Sequence, residues 1–342
     1  VQARILSIDG GGAKGIVPAV ILEHIENKLQ DLAKNPAVRL SDFLDFTAGT
    51  AAGALTSTMI ITPNEKGRPA YTMKEIIDNL FIFSKVYYRK KDWRTLWGKT
   101  GSKYPAEEVI AAHLKVFDHW KMKDLLKPTA ITGYDILNRA PVIFTNRDGS
   151  DKHTDYYVKD IVRGSAASPA WINPVEFRDG VNKNIIVNSN VIANNPGTVA
   201  YVEAGKTPEI VDKFKMISPE NTFLISIGTG QTKLPSFSFD NVRNWNKSKW
   251  FDLVTSMSIQ SSTILPHYKL RSLYDAFHCE NNYIRLDPTI MLGSSNIMDT
   301  SNKNMRHLLQ DATNFVMANK ELLDDIATQL FNQDEKYSTM LF

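Results

Sequence analysis

The chain has 342 residues, 43% hydrophobic and 23% charged, with a formal net charge of +3. That is the make-up of a globular protein able to bury a substantial core, and it excludes collagenous and low-complexity chains. A charge so close to balance gives no electrostatic reason to expect nucleic acid as a partner. The single cysteine, Cys279, rules out an internal disulfide. No apolar run has the length of a membrane span and no signal peptide is visible. The expected location is therefore cytoplasmic, at most peripheral at membranes; because the numbering starts at Val1 rather than methionine, secretion is not excluded.

Residues 4–8 form a short apolar run that predicts a buried parallel strand. The run ends in Asp9-Gly10-Gly11-Gly12-Ala13-Lys14-Gly15, after which Ile16, Ala19, Val20, Leu22, Ile25 and Leu29 share one helical face. A glycine loop feeding a helix N-terminus presents bare N–H groups to negative charge, either a phosphate or the oxyanion of an acyl transfer. Gly10, Gly12 and Gly15 satisfy G-x-G-x-x-G. A dinucleotide site, however, needs an acidic residue closing a second strand about twenty residues on. The nearest candidate, Asp31, falls at the end of the helical pattern. Asp9 is expected to hold the glycine loop by hydrogen bonds.

The stretch 43–55 reads as a second buried strand, a tight turn through Gly49-Thr50-Ala51-Ala52-Gly53, and a helix. This is the layout of a nucleophile elbow, G-x-S-x-G, with alanine at the central position. Gly49 and Gly53 stand where strand and helix backbones approach too closely for side chains. An ordinary strand-to-helix turn rich in small residues fits the same letters.

Residues 61–69 predict a surface loop and 73–85 a helix. The segment 85–103 interleaves Lys85, Arg89, Lys90, Lys91 and Arg94 with Tyr87, Tyr88, Trp93 and Trp97. It suits either peripheral contact with an anionic membrane or a solvated flap with its rings on the core. Further on, 105–116 predicts a helix, 122–126 a short one, 129–135 and 141–145 strands, and 157–165 a helix. Asp179-Gly180 marks a hairpin turn. Residues 184–187 predict a strand entering an asparagine-rich turn over 188–197, and 223–227 a strand ending in Gly228-Thr229-Gly230. Beyond residue 232 the expectation is a polar linker over 233–249, a helix from 251 towards 263, and closing helices near 305–318 and 322–331. Strands alternating with helices imply an α/β fold with a mainly parallel sheet covered on both faces.

The ordered set Ser7-Ile8-Asp9-Gly10-Gly11-Gly12-Ala13-Lys14-Gly15, Gly49-Thr50-Ala51-Ala52-Gly53, Gly133-Tyr134-Asp135, Ser165-Ala166-Ala167-Ser168-Pro169, Ala193-Asn194-Asn195-Pro196 and Ser226-Ile227-Gly228-Thr229-Gly230 resembles the motifs of patatin-like phospholipases. The resemblance runs from about residue 4 to about residue 230. It implies a three-layer α/β/α sandwich, with residues 1–232 as the catalytic-type core and 233–342 as a mostly helical extension packed on the same domain. It also implies a lipid acyl hydrolase of phospholipase A type, acting on phospholipid or other acyl-ester lipids through a Ser-Asp dyad without a cofactor. In that family the serine belongs at position 51 and the aspartate in a D-G-G or D-G-A triplet that falls on Asn188. Gly10, Gly11 and Gly12 would supply the oxyanion-stabilising N–H groups, and Lys14 stands where the family has Arg or Lys.

Both reacting positions depart from the pattern. Ala51 has a methyl group where the attacking oxygen belongs, and the Asn188 amide cannot accept a proton from a serine at neutral pH. The triplet reads Asn188-Ser189-Asn190, so its glycines differ too. An inactive form of the hydrolase is therefore expected. An engineered variant, a natural pseudoenzyme that binds lipid or protein, and a mutated form of an enzyme with an unusual triplet all fit these letters. Asp179 is a conceivable relocated base, although its Asp-Gly pair reads better as a turn. Ser57, further along the elbow helix, is expected to face away from the loop. No histidine pair has metal-ligand spacing, so no metal site is expected.

Overall fold

Alternate residues of the central strands face opposite sides of one sheet, and each side has its own apolar cluster. In the first strand Leu6 and Ile8 join one cluster while Ala3 and Ile5 join the other; Phe223, Ile225 and Ile227 oppose Leu224 in the same way. Strands buried on both faces read as near-continuous apolar runs, which is why the sequence marks them. The structure, a computed structural model, describes residues 2–87, 106–147, 155–169, 171–179, 182–232 and 236–334. Most of the basic and aromatic segment 85–103 lies outside the described residues.

In chain order the elements are β1 (Ala3–Ile8), α1 (Ile16–Ala33), β2 (Phe46–Gly49), α2 (Ala52–Ile61), α3 (Met73–Tyr87), α4 (Ala106–Phe117), β3 (Thr129–Asp135), β4 (Ala140–Thr145), α5 (Val158–Ala166), β5 (Val175–Asp179) and β6 (Asn182–Val187). There follow α6 (Asn190–Ala193), α7 (Gly197–Ala204), α8 (Pro208–Phe214), β7 (Thr222–Ile227), β8 (Gln231–Thr232), α9 (Phe239–Val242), α10 (Lys247–Ala276), β9 (Tyr283–Leu286), β10 (Thr289–Ile290), α11 (Asn302–Ala318) and α12 (Lys320–Asn332). The main sheet has the order β5-β6-β3-β2-β1-β7-β9, with β4 also on β3. β3, β2, β1, β7 and β9 run parallel, β4 and β6 each pair antiparallel with β3, and β5 pairs antiparallel with β6. Helices α1, α2, α3, α5, α11 and α12 cover one face, and α7, α8 and α10 the other. The fold is a three-layer α/β/α sandwich. Among the described residues no helix is long and apolar enough to cross a membrane.

Two features of the last third differ from the sequence expectation. The helix expected from 251 to about 263 spans Lys247–Ala276 and passes through Pro266. A proline inside a helix leaves the carbonyl four residues back without its donor. Here that carbonyl, Ser262, accepts the Asn195 N–H at 3.1 Å, so the proline is tolerated because the asparagine turn fills the gap. The second feature is β9, in a stretch where the sequence predicts no strand. Residues 283–286 extend the main sheet beside β7, so the sheet does not end near residue 230.

Candidate active site

Ala51 sits between the last residue of β2 and the first of α2 with φ 52° and ψ −114°. A residue other than glycine enters that region at a cost of about 1–3 kcal/mol and stays there only if its surroundings impose it. Here they do. A Cβ on Gly49 would lie 2.4 Å from Ser57 Oγ and 2.5 Å from Ala54 Cα; one on Gly53 would lie 2.2 Å from the Ile8 carbonyl oxygen. The Ala51 N–H donates to Ser165 Oγ at 2.9 Å, which ties the turn to α5.

Asn188 follows β6 and is buried. Its N–H donates to the Ala167 carbonyl at 3.0 Å, and its Oδ1 accepts the Asn190 N–H at 2.6 Å, closing an Asx turn. A line of buried hydroxyls joins this turn to the elbow. Ser189 Oγ donates to Thr132 Oγ1 at 2.8 Å, Thr132 and Thr50 meet at 2.6 Å, and Thr50 Oγ1 donates to the Ala193 carbonyl at 2.7 Å. Ser189 therefore has a bonding role at a place where the sequence pattern led one to expect glycine.

The glycine loop runs between two cavities. Gly12, with φ 57°, lines a pocket together with Ala51 and Asn188. Gly10, Gly11 and Lys14 instead line a cavity of about 520 Å³ on the other side. The Gly10 N–H donates to the Asn194 carbonyl at 3.0 Å and the Ala13 N–H to the Ile297 carbonyl at 2.9 Å. Gly10 thus has no free N–H to offer an oxyanion, contrary to its place in the expected set. Gly11 and Gly12 carry no such bond among the described residues. Lys14 Nζ donates to the Gly230 carbonyl at 2.9 Å, and burial lowers its pKa.

The patatin-like phospholipase family model matches residues 6–205. This chain belongs to the patatin-like phospholipase family. It is 29% identical to Patatin-T5 of Solanum tuberosum over 322 residues, which is 90% of this chain and 82% of that one. It is 30% identical to Patatin-like protein 4 of Arabidopsis thaliana over 315 residues, 87% of this chain and 79% of that one. The crystal structure of VipD from Legionella pneumophila is similar over 95% of this chain and 67% of its own, with a TM-score of 0.40 and 11% identity.

In this patatin-like chain the pocket beside Ala51 is walled by Ile16, Leu55, Leu80, Phe83, Ile297 and Met305, with Ser84, Ser168, Asn188 and Asn190 as its polar members. Its volume is about 50 Å³, room for only a few water-sized groups. Most of its lining side chains are apolar, contributed by α1, α2, α3 and α11.

Other candidates fall away from this pocket. Asp31 lies within α1 and β2 ends in the elbow, so no acidic residue closes the second strand of the patatin-like fold. Ser57 is fully buried beneath Gly49 and donates to the Ala54 carbonyl. Asp179 pairs in register with Asn182, at the end of β6 away from Asn188. Six strand residues separate those ends by roughly 20 Å. Among the described residues no group of three His, Cys, Asp or Glu side chains is placed to hold a metal.

Among the described residues the Asp9 carboxylate makes no hydrogen bond to the glycine loop itself. Both its oxygens pair with the Arg285 guanidinium, at 2.9 and 2.6 Å. Burial pushes the Asp9 pKa up to about 6 against the pull of that guanidinium. The partner lies on β9, 276 residues further along, and no local motif announces it.

Proposed function

We propose that this chain carries the acyl-transfer scaffold of a patatin-type lipid hydrolase with its two reacting groups replaced, Ala51 at the nucleophile position and Asn188 at the dyad-acid position. The observation that carries the reading is the backbone of Ala51: an alanine held at φ 52° between two glycines, facing a pocket shared with Asn188 and Gly12. A turn whose only task is to join a strand to a helix has no need of that strain.

With serine at 51 and aspartate at 188, the serine Oγ attacks the ester carbonyl carbon while the carboxylate takes its proton. Gly12, which lines the same pocket as Ala51, offers its N–H to the oxyanion that forms, with the unbonded Gly11 N–H next to it in the loop. The alcohol then leaves with the proton, and water releases the fatty acid by the same steps in reverse order. Phospholipid or another acyl-ester lipid is the substrate class that the apolar walls favour. As written, the chain lacks the nucleophile, a loss on the order of a millionfold in rate for a hydrolase with such a unit. The test is to make Ala51→Ser alone and with Asn188→Asp, and to assay fatty-acid release from phospholipid vesicles and p-nitrophenyl esters. Turnover in the double variant is expected; its absence on every ester sinks the hydrolase reading and leaves a lipid- or protein-binding pseudoenzyme.

A further inference from the structure

The glycine loop is held by a strand that lies beyond the stretch matched by the family model. β9 is an edge strand paired with β7, with Arg285 opposite Ser226. The Arg285 side chain is 8% exposed and its partner Asp9 1%. Nη1 donates to Asp9 Oδ1 at 2.9 Å and to Ser226 Oγ at 2.8 Å, and Nη2 donates to Asp9 Oδ2 at 2.6 Å and to Asp287 Oδ2 at 3.1 Å. Asp287 in turn accepts the Gly230 N–H at 3.1 Å and the Gln231 Nε2 at 2.9 Å. The Gly230 carbonyl accepts Lys14 Nζ, and Thr229 Oγ1 donates to the Gly10 carbonyl at 3.1 Å.

These contacts close a ring: Arg285, Asp9, the glycine loop, Lys14, Gly230, Asp287 and back to Arg285. The loop backbone is bare where the ring passes. A Cβ on Gly228 would lie 2.2 Å from Asp287 Oδ1 and 2.7 Å from Arg285 Nη2, and one on Gly11 would lie 2.1 Å from Thr229 Oγ1. Stability alone is a weak explanation for such a cluster, since a buried ion pair is often replaceable by apolar residues of similar volume at little cost. What a guanidinium fork adds is orientation, because its donors are fixed in one plane and bind both oxygens of a carboxylate at once.

We propose that Arg285 and Asp287 are positioning residues, a clamp that fixes the glycine loop and so sets where the Gly11 and Gly12 N–H groups stand relative to position 51. The catalytic half of this proposal rests on the hydrolase reading; the mechanical half does not. The segment after residue 230 is then part of the site's framework, although neither clamp residue touches the pocket beside Ala51.

The first test uses the chain as it is. Arg285→Lys keeps the charge and loses the fork, and Asp287→Asn keeps the shape and loses the charge. In hydrogen–deuterium exchange the Gly10 and Ala13 amides, both hydrogen-bonded in the intact loop, should exchange about tenfold faster or more in each variant, with the α12 amides unchanged. The second test places the same substitutions in the Ala51→Ser, Asn188→Asp background. There kcat should fall by on the order of tenfold to a hundredfold with KM within about twofold, since the loss is of alignment and not of the lipid pocket. Arg271→Gln, which removes an exposed ion pair with Asp275 on α10, should match the parent.

If Arg285→Lys does not fold, Asp287→Asn decides both tests. Unchanged loop exchange overturns the clamp, and so does an active parent whose kcat the folded variants leave intact. A parent that hydrolyses nothing refutes the hydrolase reading instead, and the exchange rates still decide whether the clamp holds the loop.

Discussion

The hydroxyl of Ser165 accepts the backbone N–H of Ala51 at 2.9 Å. Two residues on, the Ala167 carbonyl accepts the N–H of Asn188 at 3.0 Å. The end of α5 therefore sets the elbow and the asparagine turn from one short stretch, with the Thr50–Thr132–Ser189 hydroxyls as a second tie. Ser165→Ala leaves the buried Ala51 N–H without an acceptor, which costs about 1–3 kcal/mol. Chemical denaturation should show that loss, and a variant as stable as the parent would mean that the elbow does not depend on this bond.

The strain at Ala51 has its own signature. Glycine adopts φ 52° without the steric penalty that a Cβ brings, so Ala51→Gly should raise stability by about 1 kcal/mol, against the usual direction for an alanine removed beside a helix. Gly53→Ala should act oppositely, because its Cβ would meet the Ile8 carbonyl oxygen at 2.2 Å in a wall of backbone that cannot rotate aside. A loss of about 3 kcal/mol or failure to accumulate is expected. Equal, small effects at the two positions would contradict the elbow geometry.

What the sequence disclosed and what it hid follow from one physical distinction. Gly49 and Gly53 mark places where backbone must approach backbone, and Gly10 and Gly11 places where neighbouring side chains leave no room for a Cβ, local demands that leave a local trace. Asn188 is marked only by the family resemblance, which puts the dyad acid shortly before the Asn194-Asn195-Pro196 turn. The Asp9–Arg285 pair leaves no such trace, because its two ends meet only when β9 joins the sheet beside β7. β9 itself is four residues long with a charged side chain at its centre, which reads as a loop until Asp9 supplies the countercharge. The length of α10 was hidden by Pro266, a helix breaker unless something else bonds the Ser262 carbonyl, and the Asn195 N–H does so from 67 positions earlier. The small volume of the Ala51 pocket depends on side chains brought together from α1, α2, α3 and α11, which no pattern in the chain encodes.

His113 supplies a pH dependence separate from the site. It is fully buried on α4, its Nδ1 bonded to the Val109 carbonyl and its ring edge-on to Phe83 at 4.8 Å, and burial lowers its pKa from 6.5 to about 4. In the unfolded chain the imidazole takes up its proton as pH falls through 6.5, while in the folded protein it stays neutral down to about 4. Its contribution is therefore fully present above 6.5 and is lost as pH falls towards 4, by about 3 kcal/mol in total. Asp9, raised to about 6 by burial, works in the other direction, favouring the folded state at low pH and losing that advantage as pH rises through 6. Because the two slopes oppose each other between pH 4 and 6, His113→Leu should expose the Asp9 slope: stability of the variant should fall as pH rises from 4 to 6. A variant whose stability rises over that range would show that other groups control it.

The pocket wall makes the last prediction, on which acyl chains a restored enzyme accepts. Leu80 projects from α3 into the pocket and is almost fully buried, so Leu80→Ala removes most of a side chain from a cavity of about 50 Å³. The substitution should cost about 2–5 kcal/mol of stability, as large-to-small changes in a packed interior do. In exchange it lengthens the apolar pocket towards α3 without touching the elbow, the asparagine turn or the glycine loop. In the Ala51→Ser, Asn188→Asp background, kcat/KM for p-nitrophenyl esters should shift towards longer acyl chains, by roughly tenfold per two or so added methylenes that gain contact with the new wall. Because the reacting groups are unchanged, the gain should appear mainly in KM, with kcat on the shortest ester close to the parent's. A chain-length profile identical to the parent's would place the acyl chain elsewhere, along the open side of the pocket and away from α3.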